Sequence, residues 1–225
     1  MSVDRAARPR KRRWGRKWGF HPPHAARTRR DGGGTLRTDP SAMQDARRHA
    51  SGAAMRRLIV TGANGAGKSH VGCRARDARP EVPLVSFDAM KLTEGWRQRP
   101  RAEIDAALAR LVAGEAWIFE GGPSLLPLAL PRADAVIWLD PPERVRAWRL
   151  ALRPWRHRGR TRPELPEGNV DWPAEQYRFA WRSLRHGART RAHLAARLAE
   201  AECRVWRCVG PRDVAAALEA WQDAA

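Results

Sequence analysis

No run of apolar residues in this 225-residue chain approaches the roughly 18–20 that a membrane-spanning helix needs, so no membrane partner is expected. Cysteine is scarce as well. Cys73, Cys203 and Cys208 form no metal-ligand pattern, and they read as reduced thiols of a cytoplasmic protein rather than a disulfide framework. Acidic residues are short: 24 Asp and Glu stand against 43 Lys and Arg, a net charge of +19. Aliphatic residues are almost missing from positions 1–54, which carry 14 basic and 4 acidic residues, including Arg10-Lys11-Arg12-Arg13, and a Gly32-Gly33-Gly34 run. Such a leader cannot bury enough apolar surface to fold, and a disordered basic segment is expected. Its basic start is not followed by an apolar core, which excludes a secretory signal. Three readings compete for it: a basic arm for nucleic acid or another anionic surface, an Arg-rich organelle-targeting segment, or an upstream extension of a protein whose translation starts at Met55.

What the chain does have begins at residue 57. Arg57-Leu58-Ile59-Val60-Thr61 reads as a short buried strand. Gly62-Ala63-Asn64-Gly65-Ala66-Gly67-Lys68-Ser69 then meets every fixed position of the phosphate-binding loop G-x-x-x-x-G-K-[ST], and Val71, Ala75 and Ala78 follow at helical spacing. Glycines let the backbone curl so that its N–H groups can face phosphate oxygens. Lys68 is expected to reach the β- and γ-phosphates of ATP, and the Ser69 hydroxyl to ligate Mg²⁺. The helix N-terminus adds a partial positive charge.

A domain over 55–225 is expected to alternate strands and helices. Leu84-Val85-Ser86-Phe87 reads as a second strand with Asp88 at its carboxyl end, where open parallel sheets bind ligands. Asp88 is thus placed for an acceptor hydroxyl or the metal's water shell, with a helix cap as its bland alternative. Pro100 opens a helix with Ile104, Ala107, Leu108, Leu111 and Val112 inward, ending at Gly114. Trp117-Ile118-Phe119 is a third strand closed by Glu120-Gly121-Gly122. Glu120 is suited to orient Mg²⁺, and Gly121 lets backbone come close to a ligand. Ala135 to Leu139 is a fourth strand, followed by a helix with Val145, Trp148 and Leu152 inward. A helical pattern over 173–200 runs through Tyr177, Trp181, Leu184, Leu194 and Leu198 and breaks near Gly187. Val205 to Val209 and a helix with Val214, Leu218 and Trp221 inward close the chain. The eleven tryptophans are read mostly as core.

Between Arg144 and Arg162 lie eight arginines and no acidic residue. A solvated face would be served as well by lysine, whereas arginine suits bidentate binding of phosphate. Arg149 and Arg153 share one helix face. Arg156, Arg158 and Arg160 follow in a stretch broken by Pro154, Gly159 and Pro163, placed to close over a transferring phosphoryl group.

With these residues in view, the chain resembles the adenylate-kinase-like P-loop proteins, most closely the branch described as DNA topology modulation (FlaR-type) proteins. The resemblance covers residues 56–222. Its carriers are Gly62 to Ser69, Phe87-Asp88 with Trp96, Trp117 to Gly121, Leu139-Asp140 before two prolines, Arg158 to Glu164, and the helix with Phe179 and Trp181. Arg149 and Arg153 stand seven and eleven residues after Pro142, the spacing of two lid-proximal arginines in that superfamily. The resemblance implies an α/β P-loop NTPase three-layer sandwich, with a parallel five-stranded sheet ordered 2-3-1-4-5 and a short Arg-rich lid near 154–172. His70 stands where the superfamily has a second small hydroxyl residue, which weakens a contact to the α-phosphate. No AMP-binding segment with its arginine separates the first helix from the second strand.

The sequence therefore leads to an ATP-dependent kinase whose acceptor is a nucleotide or a small hydroxylated metabolite, acting as a monomer. Lys68, Arg149, Arg153 and Arg158 are its catalytic candidates, and Asp88, Gly121 and Arg160 face the acceptor. Gly62 to His70 hold ATP, and Ser69, Asp88 and Glu120 hold Mg²⁺. The alternative is an ATP-binding protein associated with nucleic acid, though no helix-turn-helix or β-platform motif is present.

Overall fold

A computed structural model describes residues 54–156, 159, 161, 165–170 and 173–224. The basic leader over 1–53 and the arginines Arg158 and Arg160 lie outside the described residues.

Five strands form one all-parallel sheet: β1 (Arg57–Gly62), β2 (Leu84–Ser86), β3 (Trp117–Gly121), β4 (Ala135–Leu139) and β5 (Arg204–Cys208). Their spatial order is β2-β3-β1-β4-β5. Parallel strands need crossovers, and helices on both faces make the three central strands near-continuous apolar runs. The alternation of side chains decides which helix each residue meets. Ile59, Trp117, Phe119, Val136 and Trp138 point to one face, against Ile104, Leu108 and Val112 of α3 (Arg101–Val112) and Leu194 and Leu198 of α7 (Gly187–Ala199). Leu58, Val60, Ile118, Ala135, Ile137 and Leu139 point to the other, against Val71 and Ala75 of α1 (Lys68–Ala78) and Leu218 and Trp221 of α8 (Pro211–Asp223). Three layers result, helix–sheet–helix.

The remaining helices are α2 (Phe87–Lys91), α4 (Leu126–Ala129), α5 (Glu143–Arg156) and α6 (Pro173–Arg185). The edge of the sheet away from the carboxyl ends is tied at Asp134. Its carboxylate accepts the backbone N–H groups of Arg56 and Arg57, both at 2.8 Å, and pairs with the Arg57 guanidinium at 2.9 Å. Met55 N–H donates to the Ala224 carbonyl at 2.9 Å, joining the first and last described stretches.

Four expectations need correction. The strand at Leu84 stops at Ser86, because Phe87 opens α2, whose first turn is capped by the Ser86 hydroxyl accepting from Ala89 N–H. Asp88 is therefore not the cap. The inward face of α5 is Arg146, Leu150 and Pro154, not Val145, Trp148 and Leu152. This stripe packs on the phosphate loop rather than on the sheet, which turns Trp148 and Trp155 outward at 65% and 63% exposure. On α6 only Ala180 is fully buried, and Trp181 is 69% exposed. Leu111 of α3 is exposed as well. The break near Gly187 is present: α6 ends at Arg185 and α7 begins at Gly187.

Candidate functional site

The in-register ladder lines up the carboxyl ends of the central strands. Val60 and Ser86 both lie opposite Glu120, so the carboxyl ends of β1, β2 and β3 meet at one level of the sheet. The β1–α1 connection is the glycine-rich loop. Gly65 and Gly67 have φ of +80° and +100°, left-handed backbone that glycine adopts without strain. A Cβ on Gly65 would lie 2.9 Å from Leu150 Cγ and 3.0 Å from the Arg146 carbonyl oxygen, so α5 packs directly on the loop.

Lys68 opens α1 and is buried, with Nζ 3.4 Å from the Ala63 carbonyl oxygen, a weak bond for an ammonium. Burial holds its pKa below the ordinary 10.5, with Arg153 and Lys91 pushing the same way while Asp88 and Glu120 oppose. Ser69 donates its hydroxyl to Glu120 Oε1 at 3.2 Å. Burial pushes the Glu120 carboxyl above its ordinary 4.5 and Asp88 adds to the rise, while Lys68 and hydrogen bonds from Ser86 and Ser69 lower it. Asp88 pairs with Lys91 at 2.6 Å. A buried cation, a buried carboxylate and a hydroxyl thus share the floor of a cleft of about 1120 Å³.

The cleft wall is built by α5 and α6. Arg149, Arg153 and Arg156 line it from α5, and Gln176 and Phe179 from α6. Arg149 Nη1 donates to the Ala66 carbonyl oxygen at 2.7 Å, so its guanidinium also braces the loop. Asn64 to His70 line the cleft, and the Ala63 carbonyl and Gly62 lie behind it. At Gly121 the geometry gives a different reason for glycine. A Cβ there would meet Leu125 Cδ2 at 2.6 Å and Phe87 Cβ at 2.7 Å, so the close approach is of core side chains, not of a ligand.

Two residues escape the motif-based reading. Arg146, almost fully buried, donates from Nε to the Asn64 carbonyl oxygen at 3.0 Å and from Nη1 to Glu143 at 2.6 Å. Its signal was its i, i+3 spacing from both Glu143 and Arg149. Asp140, at the end of β4, accepts from Arg191 of α7 at 2.5 Å and from Arg207 of β5 at 2.6 Å. That partnership joins positions more than fifty residues apart and leaves no local pattern.

The donor set fits Mg²⁺. The Ser69 hydroxyl and Glu120 carboxylate are hard oxygen ligands already in contact, and a desolvated carboxylate gains from a cation. No group of three or more His, Cys, Asp or Glu residues that could hold a metal occurs among the described residues. Mg²⁺ does not require such a cage, since it commonly takes one or two protein ligands with waters and phosphate oxygens. No helix among the described residues is long and apolar enough to cross a membrane.

Neither a protein-family profile nor a curated protein sequence matches the chain. Solved structures similar to it include a shikimate kinase from Bacteroides thetaiotaomicron, at TM-score 0.43 and 18% identity over 76% of this chain and 98% of that one. A sugar kinase from Janibacter sp. HTCC2649 stands at TM-score 0.43 and 15% identity over 76% and 96%. A gluconokinase from Sinorhizobium meliloti 1021 stands at 0.42 and 19% over 76% and 95%.

Proposed function

We propose that the chain is an ATP-dependent phosphotransferase that moves the γ-phosphoryl group of ATP to a hydroxyl-bearing nucleotide or small metabolite. The observation that carries this reading is the convergence of buried Lys68, Ser69 and Glu120 at the base of the glycine loop, beneath a wide cleft. At about 1120 Å³ the cleft has room for a nucleotide and a second small molecule, against roughly 300–1,000 Å³ for ordinary ligand sites.

In this reading Lys68 and the loop backbone hold the donor phosphates, and the α1 N-terminus favours their charge. Ser69 and Glu120 hold Mg²⁺, with Asp88 towards its water shell or the acceptor. When bound, the ion neutralises charge on the phosphate oxygens. Arg149 and Arg153 face the transferring group from α5, joined by one or more of Arg156, Arg158 and Arg160. Arg146 and Arg149, through the loop carbonyls of Asn64 and Ala66, keep the loop in one conformation. No side chain stands out as a catalytic base, and phosphoryl transfer depends chiefly on positioning and charge.

The test is ADP release from Mg·ATP, alone and with pools of nucleosides, nucleotides and hydroxylated metabolites. One pool should stimulate turnover, and Lys68→Ala should lower it by at least about 100-fold, the scale of removing a group that meets transition-state charge. Turnover unchanged by Lys68→Ala would sink the reading.

A further inference from the structure

Between α2 and α3 the backbone takes an unfavourable course. Gly95 and Trp96 are consecutive left-handed residues, with φ of +67° and +59°. Glycine tolerates this, whereas tryptophan does not, and among the described residues Trp96 is the only non-glycine with positive φ. Such a conformation persists only where its surroundings over-determine it.

Those surroundings come from residues 166–170, some seventy positions further along the chain. Asn169 is fully buried, and its Oδ1 accepts Trp96 N–H at 2.5 Å. Its Nδ2 donates to the Thr93 carbonyl at 3.0 Å and to Pro166 of its own segment at 2.9 Å. The Trp96 indole Nε1 donates to the Val170 carbonyl at 3.1 Å. Gly168, at φ +80°, lies against Glu94 so closely that a Cβ would stand 2.4 Å from Glu94 Cγ. Residues 93–96 and 166–170 are therefore clasped side by side. The clasp stands at the cleft: Trp96 lines it, as do Leu92 and Gln98 on either side of the first segment and Leu165 just ahead of the second. Asp88 and Lys91 stand just ahead of Leu92 and line the same cleft.

We propose that this clasp is the acceptor-side gate of the cleft, with Asn169 as the positioning residue that holds Trp96 in its left-handed conformation as the gate's wall. The inference rests on the phosphotransfer reading. Clasped, Trp96 and Leu165 keep water from the phosphoryl group. Unclasped, Trp96 returns to ordinary backbone and the acceptor end opens. The reaction that the clasp suppresses is hydrolysis: a water oxygen bonds to the γ-phosphorus, ADP leaves with the electron pair of the broken P–O bond, and the water proton passes to solvent. Asn169 touches none of these atoms and acts through Trp96.

The experiment uses the full chain and three variants, Asn169→Ala, Asn169→Asp and Trp96→Asn. A fluorescent ATP analogue reports binding, ADP release from Mg·ATP without acceptor reports the leak, and hydrogen exchange reports residues 92–98. Asn169→Ala should leave analogue affinity unchanged, speed exchange over 92–98 by about tenfold as buried partners are lost, and raise ADP release several-fold. Asn169→Asp retains the acceptor for Trp96 N–H but loses both donations, so it should fall between parent and alanine. Trp96→Asn suits the left-handed backbone and removes the indole, so it should raise ADP release without comparable loosening of 92–98. Faster exchange with the leak at the parent's level would overturn the gate and leave a structural tie. Analogue binding without acceleration in any variant overturns the gate alone, whereas a parent chain that binds no analogue overturns the phosphotransfer reading and the gate with it.

Discussion

Lys68 and Glu120 are ionisable groups whose charged forms the ligand-free fold disfavours. Burial is the largest influence on each, and it disfavours the charged form of both. For Lys68 the folded chain gives up its proton more readily than the unfolded chain. Stability linked to it therefore rises with pH between the lowered folded pKa and 10.5. For Glu120 the folded chain holds its proton more tightly. Stability linked to it is gained as pH falls into the window above 4.5, and is lost as pH climbs through the raised folded pKa. Below the folded pKa of Lys68 and above that of Glu120 neither contribution is present, and donor phosphates or a cation would supply the missing countercharge. Lys68→Met and Glu120→Gln should accordingly leave the Tm of the ligand-free protein unchanged or higher. Each should also abolish most of the stabilisation by excess Mg·ATP, which is about 2.7 kcal/mol at a hundred times Kd. A scanning-fluorimetry series with and without Mg·ATP checks this. A Tm several degrees lower in Lys68→Met would mean that the lysine is well satisfied without ligand. The residue types of this floor were legible in the sequence because G-x-x-x-x-G-K-S encodes a local shape, but the desolvation was not, since it arises when β2 and β3 come into register with β1.

At the scale of elements, strands were easier to read than helix faces. A strand buried on both sides shows as an apolar run whatever packs on it, and Ala135 to Leu139 is found at its expected limits. A helix face depends on where the partner lies. On α5 the apolar spacing of Val145, Trp148 and Leu152 suggested a core stripe, yet the helix packs on the loop through Arg146, Leu150 and Pro154. The inward arginine looked like solvent-facing charge because its partner, the Asn64 carbonyl, carries no sequence signal. The same blindness hid Asp140. Its carboxylate, nearly buried, joins β4 to α7 through Arg191 and to β5 through Arg207, whose guanidinium also lies 4.8 Å from the centre of the Trp138 ring. Both arginines are partly solvated and can rehydrate when the carboxylate is lost, so the full cost of stranding a buried charge does not apply. Asp140→Asn should destabilise the fold by about 1–3 kcal/mol, the range for lost charge-assisted hydrogen bonds, without removing nucleotide binding. Urea unfolding measures the first and the fluorescent ATP analogue the second. A change below about 0.5 kcal/mol, the level of an ordinary surface substitution, would show that Asp140 does not tie these elements together.

For the whole molecule the question is what the charge of +19 does. Residues 1–54 carry a net +10, more than half of the excess in about a quarter of the chain. The described part adds arginines on α5 and α6 beside the exposed rings of Trp148, Trp155 and Trp181. Two sources of polyanion affinity therefore exist, and salt separates them. Each phosphate neutralised on a single strand contributes about −0.7 to the slope of log K against log salt. If the leader dominates, a chain beginning at Met55 should bind a single-stranded oligonucleotide with a slope reduced by about half or more. If α5 and α6 dominate, the slope should persist, and substituting the three tryptophans should weaken binding by removing base stacking, about 1–3 kcal/mol per ring. Either result leaves ATP turnover to decide function. Non-specific affinity for polyanions is what a basic chain has whatever its chemistry, and it stays independent of Mg·ATP. Binding to nucleic acid that changes ADP release, or that Mg·ATP tightens, would instead require a coupling between the oligonucleotide and the Lys68 cleft. That would move the acceptor-centred reading aside in favour of an ATP-gated nucleic-acid protein.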